Sequence, residues 1–265
     1  MSLLIAIEGS ISSGKSSLLP LLEIKFTREE KNLKGKHTAP FISLPEPLIE
    51  WKSYGEDKVN MLELVYSNPK EYAYLFQLMA YETRCRQLIT ARNLGHKRIL
   101  MERTIECQKK VFGQLSYEKG FFTKIEHEIL SNIFQNATNT QEMKPDFIIY
   151  LRTDPEKCFQ RLQMRQRPEE RNVSLEYLKE LHAKYDQWLT KGQNNVVIIE
   201  IEEWFGQQTT NSLLADYIYQ KFMVKRLLTA QRGLALETDS ISSDEDDNTL
   251  LRALAFPSFG PITPP

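Results

Sequence analysis

Residues 9–16 run Gly-Ser-Ile-Ser-Ser-Gly-Lys-Ser, residue types whose spacing can hold a triphosphate. Gly9 and Gly14 let the backbone turn inward, so the N–H groups of Ser10, Ile11, Ser12 and Ser13 can point into one concavity. A helix opening near Lys15, Ser16 and Ser17 adds the positive end of its dipole there. The Lys15 ammonium can reach the β- and γ-phosphates, and the Ser16 hydroxyl can hold Mg²⁺. This much predicts binding of a nucleoside triphosphate.

Four further groups can act on it. Glu46, fixed between Pro45 and Pro47, follows the apolar run Phe41–Leu44. In an open α/β sheet such a position faces the ligand crevice. A carboxylate there, on a strand expected to lie next to that of the phosphate loop, can take the proton of a hydroxyl acceptor. Glu102-Arg103-Thr104 follows the run Arg98–Met101; its carboxylate can serve Mg²⁺ through water, and its cation can serve a phosphoryl group or Glu46. Gln77 and Arg84, seven apart on one helix, share a face with Tyr81, and a Gln amide can read a base edge by donating and accepting. Arg161 and Arg165 share a helical face, with Arg167 just beyond, and can fold over phosphates. Taken singly, each also has a plain structural explanation: a surface Glu, an ion pair, a packed helix flank, a solvated basic face.

The elements that must position these groups are legible as apolar, β-branched runs at Leu3–Ile7, Phe41–Leu44, Arg98–Met101, Phe147–Leu151 and Val196–Ile201. Helix-period stretches separate them, so a buried parallel sheet covered on both faces is expected. Long helices are predicted over Lys70–Asn93, ending at Gly95, and over Leu175–Lys191, capped by Ser174. Lys31–Pro40 reads as a polar loop.

The chain has 265 residues, 41% of them hydrophobic, enough for one α/β domain over 1–232. Six acidic residues and one basic residue lie beyond 236, leaving residues 1–236 with a balance of +4. That suits a body that handles phosphate and is too mild to predict a nucleic-acid partner. Residues 233–265 carry an acidic, serine-containing run and four prolines, and are expected to be largely disordered. They read as a solvated tail, or as a phospho-acceptor or docking segment for a protein partner. Cys85, Cys107 and Cys158 show no disulfide or metal spacing, which predicts a reducing compartment, cytosol or nucleus. No apolar run approaches a membrane span, and a first strand starting so near Met1 predicts no leader.

Together the motifs resemble the deoxyribonucleoside kinase family, in order and at matching spacing from Leu3 to about Phe205. The resemblance implies a P-loop α/β kinase with an arginine lid, ATP as donor and a homodimer built through a helix bundle. It implies that Glu46 of Glu-Pro-x-x-x-Trp is the base toward the sugar 5′-hydroxyl, with Trp51 beside the base pocket. Tyr66, eleven residues before Gln77, matches a contact to the 3′-hydroxyl; Phe112, nine after Arg103, matches an aromatic that stacks on the base. Arg161, Arg165 and Arg167 match the lid, and Glu170 matches a second sugar contact.

The chain also departs from the pattern, as expected of a divergent member. Thr104 replaces the Ser of Glu-Arg-Ser, and Gln108-Lys109-Lys110 stands where the family has Asp-Arg-Tyr or Ala-Arg-Tyr. The position of Gln108 sets base preference in the family. A Gln accepts from an amino group or donates to a keto group, so broad or altered base preference is expected. The loop Glu202-Glu203-Trp204-Phe205 matches the donor-adenine loop loosely. The alternatives are a nucleoside monophosphate kinase, which a carboxylate at Glu46 disfavours, and a non-catalytic scaffold.

Overall fold

The computed structural model describes residues 3–35, 37–138, 143–201 and 209–237. Five strands, β1 (Leu3–Glu8), β2 (Ile42–Leu44), β3 (Arg98–Glu102), β4 (Phe147–Arg152) and β5 (Val196–Glu200), form one parallel sheet in the order β2-β3-β1-β4-β5. Three strands run a residue past their apolar runs: Glu8, Glu102 and Arg152 extend β1, β3 and β4. One expectation is corrected. β2 does not lie beside β1, because β3 pairs with both and separates them. Chain order shows that strands exist but not which becomes the neighbour of which.

The central strand β1 is buried on both faces, and its alternating side chains divide the core. Ile5 and Ile7 pack with Leu18, Leu22 and Phe26 of helix α1 (Lys15–Lys34) and with Ile218 and Phe222 of the C-terminal helix Thr209–Glu237. Phe26 anchors this layer by edge contacts to Phe41 at 5.4 Å and Tyr219 at 4.9 Å. Its carboxylate neighbour Glu30, 1% exposed, ties Lys34, Arg98 and Arg226 together.

On the opposite face lie α4 (Pro69–Asn93), reached through the short helices α2 (Leu48–Trp51) and α3 (Met61–Ser67). After β3 come α5 (Ile105–Cys107), a π-helical segment (Gln108–Gly113), α6 (Gln114–Glu118) and α7 (Lys124–Thr138). After β4, α8 (Pro155–Arg165) and a 3₁₀ turn (Pro168–Glu170) lead to α9 (Leu175–Leu189). The C-terminal helix, α10, completes the set. Caps fix several helix starts: Asn60 accepts from Glu63 N, Asp154 from Glu156 N and Ser174 from Tyr177 N.

Helix α1 extends to Lys34, so the polar loop is shorter than Lys31–Pro40. Helix α9 stops at Leu189 rather than Lys191. Helix α10 continues past the expected boundary at 232 as far as Glu237. The tail beyond Glu237 and the loop from Glu202 to Phe205 lie outside the described residues. Among the described residues no helix is long and apolar enough to cross a membrane.

Candidate active site

β1 ends in the phosphate loop, whose shape is set by close backbone approach. Gly9 has φ 151°, and a Cβ there would lie 2.6 Å from Ser13 Oγ and 2.8 Å from Leu151 O, so only glycine fits. Gly14, at φ 100°, caps α1. Lys15 is buried and folded back on its own loop, donating to Gly9 O at 3.0 Å, Ser10 O at 2.6 Å and Ser13 Oγ at 3.3 Å. Burial, aided by the charge of Arg103, lowers its pKa to about 8, against the pull of Glu102 and Glu46. Ser16 at the helix head donates to Glu102 Oε1 at 2.8 Å, while Ser17 is exposed.

Glu46 sits on the tight turn after β2, where Leu48 N donates to its carbonyl at 2.8 Å. Its side chain is 10% exposed and takes Arg84 Nη2 and Arg103 Nη1 on the same oxygen, Oε1, each at 2.5 Å. Among the described residues no hydrogen-bond donor reaches Oε2. Burial alone raises a carboxyl's pKa; here Arg103, Arg84 and Lys15 outweigh it and hold Glu46 down at about 2, ionised at any working pH. Arg84 also donates to Glu102 O at 2.6 Å.

The same cleft is also walled by Trp51, Phe76 and Phe112. Trp51 packs edge-on to Phe76 at 5.3 Å, carries Arg84 over its ring at 5.2 Å and donates Nε1–H to Thr83 Oγ1 at 2.9 Å. Arg103 lies 5.1 Å from the Phe112 centroid. Gln77 and Gln108 line the cleft at 5% and 4% exposure, and the Oε1 of each is buried without a partner among the described residues. Buried amide oxygens of that kind cost free energy until a ligand donates to them. Tyr66 and Glu170 also line the cleft, and burial raises the Tyr66 phenol's pKa.

Arg165 and Arg167 also line the cleft, where both donate to Glu170; Arg161 instead donates to the loop carbonyl of Ser12 at 3.3 Å. Tyr81 is the exception on α4. It turns away from Gln77 and Arg84 to pack on Phe134 of α7 at 5.4 Å, because the neighbouring turn of α4 faces that helix.

Three groups were missed by sequence reasoning. Tyr177 of α9 lines the cleft, and Glu8 and Tyr185 lie directly behind Arg103. Glu8 carried one signal, a charge ending an otherwise apolar strand. Tyr185 carried none, since an aromatic at helix spacing reads as core. Three cations (Lys15, Arg84, Arg103) and three carboxylates (Glu8, Glu46, Glu102) thus meet at the ends of β1, β2 and β3. Such a cluster can grip a triphosphate and accept a proton beside it.

The comparisons agree with this geometry. Residues 5–223 match the model of the deoxynucleoside kinase family. The chain is 32% identical over 221 residues to the probable deoxycytidine kinase of Fowlpox virus, covering 81% of this chain and 86% of that one. It is 36% identical over 210 residues to deoxycytidine kinase 2 of Gallus gallus, covering 70% and 73%. The mitochondrial deoxyguanosine kinase of Xenopus laevis is 29% identical over 211 residues, covering 72% and 75%. On its sequence and its site, this chain belongs to the deoxynucleoside kinase family.

Proposed function

We propose that this chain transfers the γ-phosphoryl group of ATP to the 5′-hydroxyl of a 2′-deoxyribonucleoside, giving the monophosphate for nucleotide salvage. One observation carries the reading: Glu46 is pinned by two arginines through Oε1 and keeps Oε2 without a donor among the described residues, on the wall shared with the phosphate loop. A carboxylate with a pKa near 2 is a weak base. In a loose phosphoryl-transfer transition state, however, the acceptor's proton leaves late, so position matters more than basicity.

Ser16 Oγ and Glu102 Oε1, 2.8 Å apart at the head of α1, are hard oxygen donors that fit Mg²⁺. One hydroxyl and one carboxylate are what this ion takes from a protein when phosphates supply other ligands. When bound it supplies charge neutralisation on the β- and γ-phosphates. Lys15 then leaves its loop carbonyls for the phosphates, and Arg161, Arg165 and Arg167 close over them. Tyr66 and Glu170 hold the sugar, and Trp51, Phe112, Gln77 and Arg84 enclose the base.

The buried Oε1 atoms of Gln77 and Gln108, without a partner among the described residues, support broad base preference, and Arg84 is engaged by Glu46 and Glu102 rather than by residue 108. Exposed Leu75 and Ile89 on α4, with Ile125 and Ile129 on α7, support a homodimer through these helices. The acidic tail is proposed as a segment for a protein partner, and a cytoplasmic location is proposed from the free cysteines.

The test is transfer of radiolabel from γ-labelled ATP to thymidine, deoxycytidine and deoxyguanosine, and to their monophosphates. Labelled monophosphate from the nucleosides is expected. Label passing only to the monophosphates would make the chain a nucleotide kinase, and no transfer would revive a scaffold. A preference beyond about a hundredfold for one nucleoside, roughly what one or two well-placed polar contacts give, would count against breadth.

A further inference from the structure

Tyr185 is not among the residues that line the cleft, yet its hydroxyl is a junction. The ring is fully buried on α9, stacked on Tyr150 at 5.7 Å and Trp188 at 6.3 Å. Its hydroxyl donates to Glu8 Oε2 at 3.3 Å, accepts from Arg103 Nε at 3.2 Å and lies 2.9 Å from Cys107 Sγ. A phenol has one proton and two lone pairs. With the proton on Glu8, the Arg103 N–H and the Cys107 S–H fill both lone pairs, so the hydroxyl has one satisfied orientation.

Glu8 completes the junction. Its Oε1 accepts from Thr104 N at 2.7 Å and Thr104 Oγ1 at 2.8 Å, and the side chain is 0% exposed. The residue between, Arg103, has φ 62°. A non-glycine residue keeps that left-handed conformation only where its surroundings fix it. Arg103 is therefore clamped twice. Its backbone is held by its own N–H to Ile7 O at 3.0 Å and by the Thr104–Glu8 pair, and its guanidinium is held by Tyr185. What remains of the guanidinium points forward, with Nη1 on Glu46 Oε1 and Nη2 on Gly9 O at 3.3 Å.

We propose that Tyr185 and Glu8 are positioning residues of the phosphoryl-transfer site, holding Arg103 in the geometry that presents its guanidinium to Glu46. The inference rests on the kinase reading above for its effect on turnover, but not for its effect on Glu46 itself. The charged groups facing Glu46 are Arg103 beyond β3, Arg84 of α4 and Lys15 of α1. Of these three cations, Arg103 is the one bonded to the Tyr185 hydroxyl. Freeing that arginine therefore weakens one of three cationic holds and leaves the other two.

Tyr185→Phe in the full chain keeps the ring and its stacking and removes only the hydroxyl. Two quantities are read: steady-state turnover, and titration of the Glu46 carboxyl by ¹³C NMR without ligand. We expect kcat to fall about tenfold, the scale of one lost hydrogen bond to a charged group, with the KM for ATP little changed. The Glu46 midpoint, about 2 in the unmodified chain, rises by about one pH unit as Arg103 swings off. Because the titration needs no substrate, it still reads the contact if the chain phosphorylates no deoxynucleoside, which keeps the two failures apart. An unmoved midpoint overturns the proposal, whether kcat is kept or lost, since the hydroxyl then does not act through Arg103. If Tyr185→Phe does not fold, Glu8→Gln combined with Cys107→Ala decides. The amide oxygen at position 8 can still accept from Thr104 while its N–H meets the Tyr185 hydroxyl, and with no sulfur left to accept it the phenol proton turns toward Arg103 Nε–H and breaks that contact. The same rise in the Glu46 midpoint is expected, and its absence overturns the proposal.

Discussion

Arg165 Nη2 lies 2.7 and 2.6 Å from the two carboxylate oxygens of Glu170, and Arg167 Nη1 lies 3.5 Å from one of them. Two cations of the cleft are thus neutralised by one carboxylate. Under the proposed function, a sugar hydroxyl at Glu170 and a phosphate at Arg165 would each draw one member of the pair away, so the two substrates would act on one contact. Glu170→Gln should raise the KM for the deoxynucleoside about tenfold, through loss of a charge-assisted hydrogen bond. The KM for ATP should stay level or fall, because Arg165 and Arg167 are released. Steady-state kinetics with both substrates varied measures this; a raised ATP KM beside an unchanged nucleoside KM would contradict it.

Glu46→Gln keeps the shape of the side chain and removes its charge. If Glu46 receives the acceptor's proton, kcat should fall by about 10²- to 10⁴-fold, the usual range for loss of a general base. ATP binding by calorimetry should remain within a few-fold, because Lys15 and the loop amides are intact. Near-normal turnover would remove Glu46 from that role.

The phosphate loop and the five strands were legible because each has a local signature: glycine spacing in one case, unbroken β-branched runs in the other. Glu46 was legible because two prolines and a strand end isolate it. The position of β3 between β2 and β1 was not, since strand order is decided by long-range packing. Nor was the fate of Tyr81, about one turn from Gln77 yet packed against α7. Glu8 and Tyr185 are farthest from sequence reach. They are 177 residues apart and act through a third residue whose left-handed backbone has no sequence signature.

The π-helical segment that carries Gln108 and Phe112 closes on Gly113. A Cβ at this position would stand 2.7 Å from Gln108 O, a contact with backbone that cannot swing aside. Gly113→Ala should force the segment open and displace both of these cleft-lining residues. Overpacking of this kind costs about 2 kcal/mol, or roughly 4–8 °C in Tm for a domain of this size. The nucleoside KM should rise while the ATP KM holds, because the phosphate loop lies on other elements. Kinetics and a thermal melt of the same variant test both halves, and a normal nucleoside KM would show that the segment relaxes without moving Gln108.

A last prediction concerns the far end of the sheet. Glu30 lies on α1 with its side chain 1% exposed, 2.8 Å from Lys34, 3.2 Å from Arg98 and 2.6 Å from Arg226. One carboxylate therefore joins α1, β3 and α10. Burial works to raise its pKa, but the bonds from Lys34 and Arg226 outweigh it and the net shift is downward. A carboxyl whose folded pKa is depressed contributes stability above its unfolded pKa, and that contribution is lost as pH falls through the folded value. Glu30→Gln leaves three cations facing a neutral amide and should cost about 3 kcal/mol at pH 7, as when one partner of a buried ion cluster is removed. Below the carboxylate range the unmodified chain is protonated there too, so the gap in Tm between the two proteins should close on acidification. Thermal melts of both from neutral to acid pH measure it. A gap that stays constant with pH would mean that Glu30 stabilises by shape and packing, and that its charge does not hold α10 against the sheet.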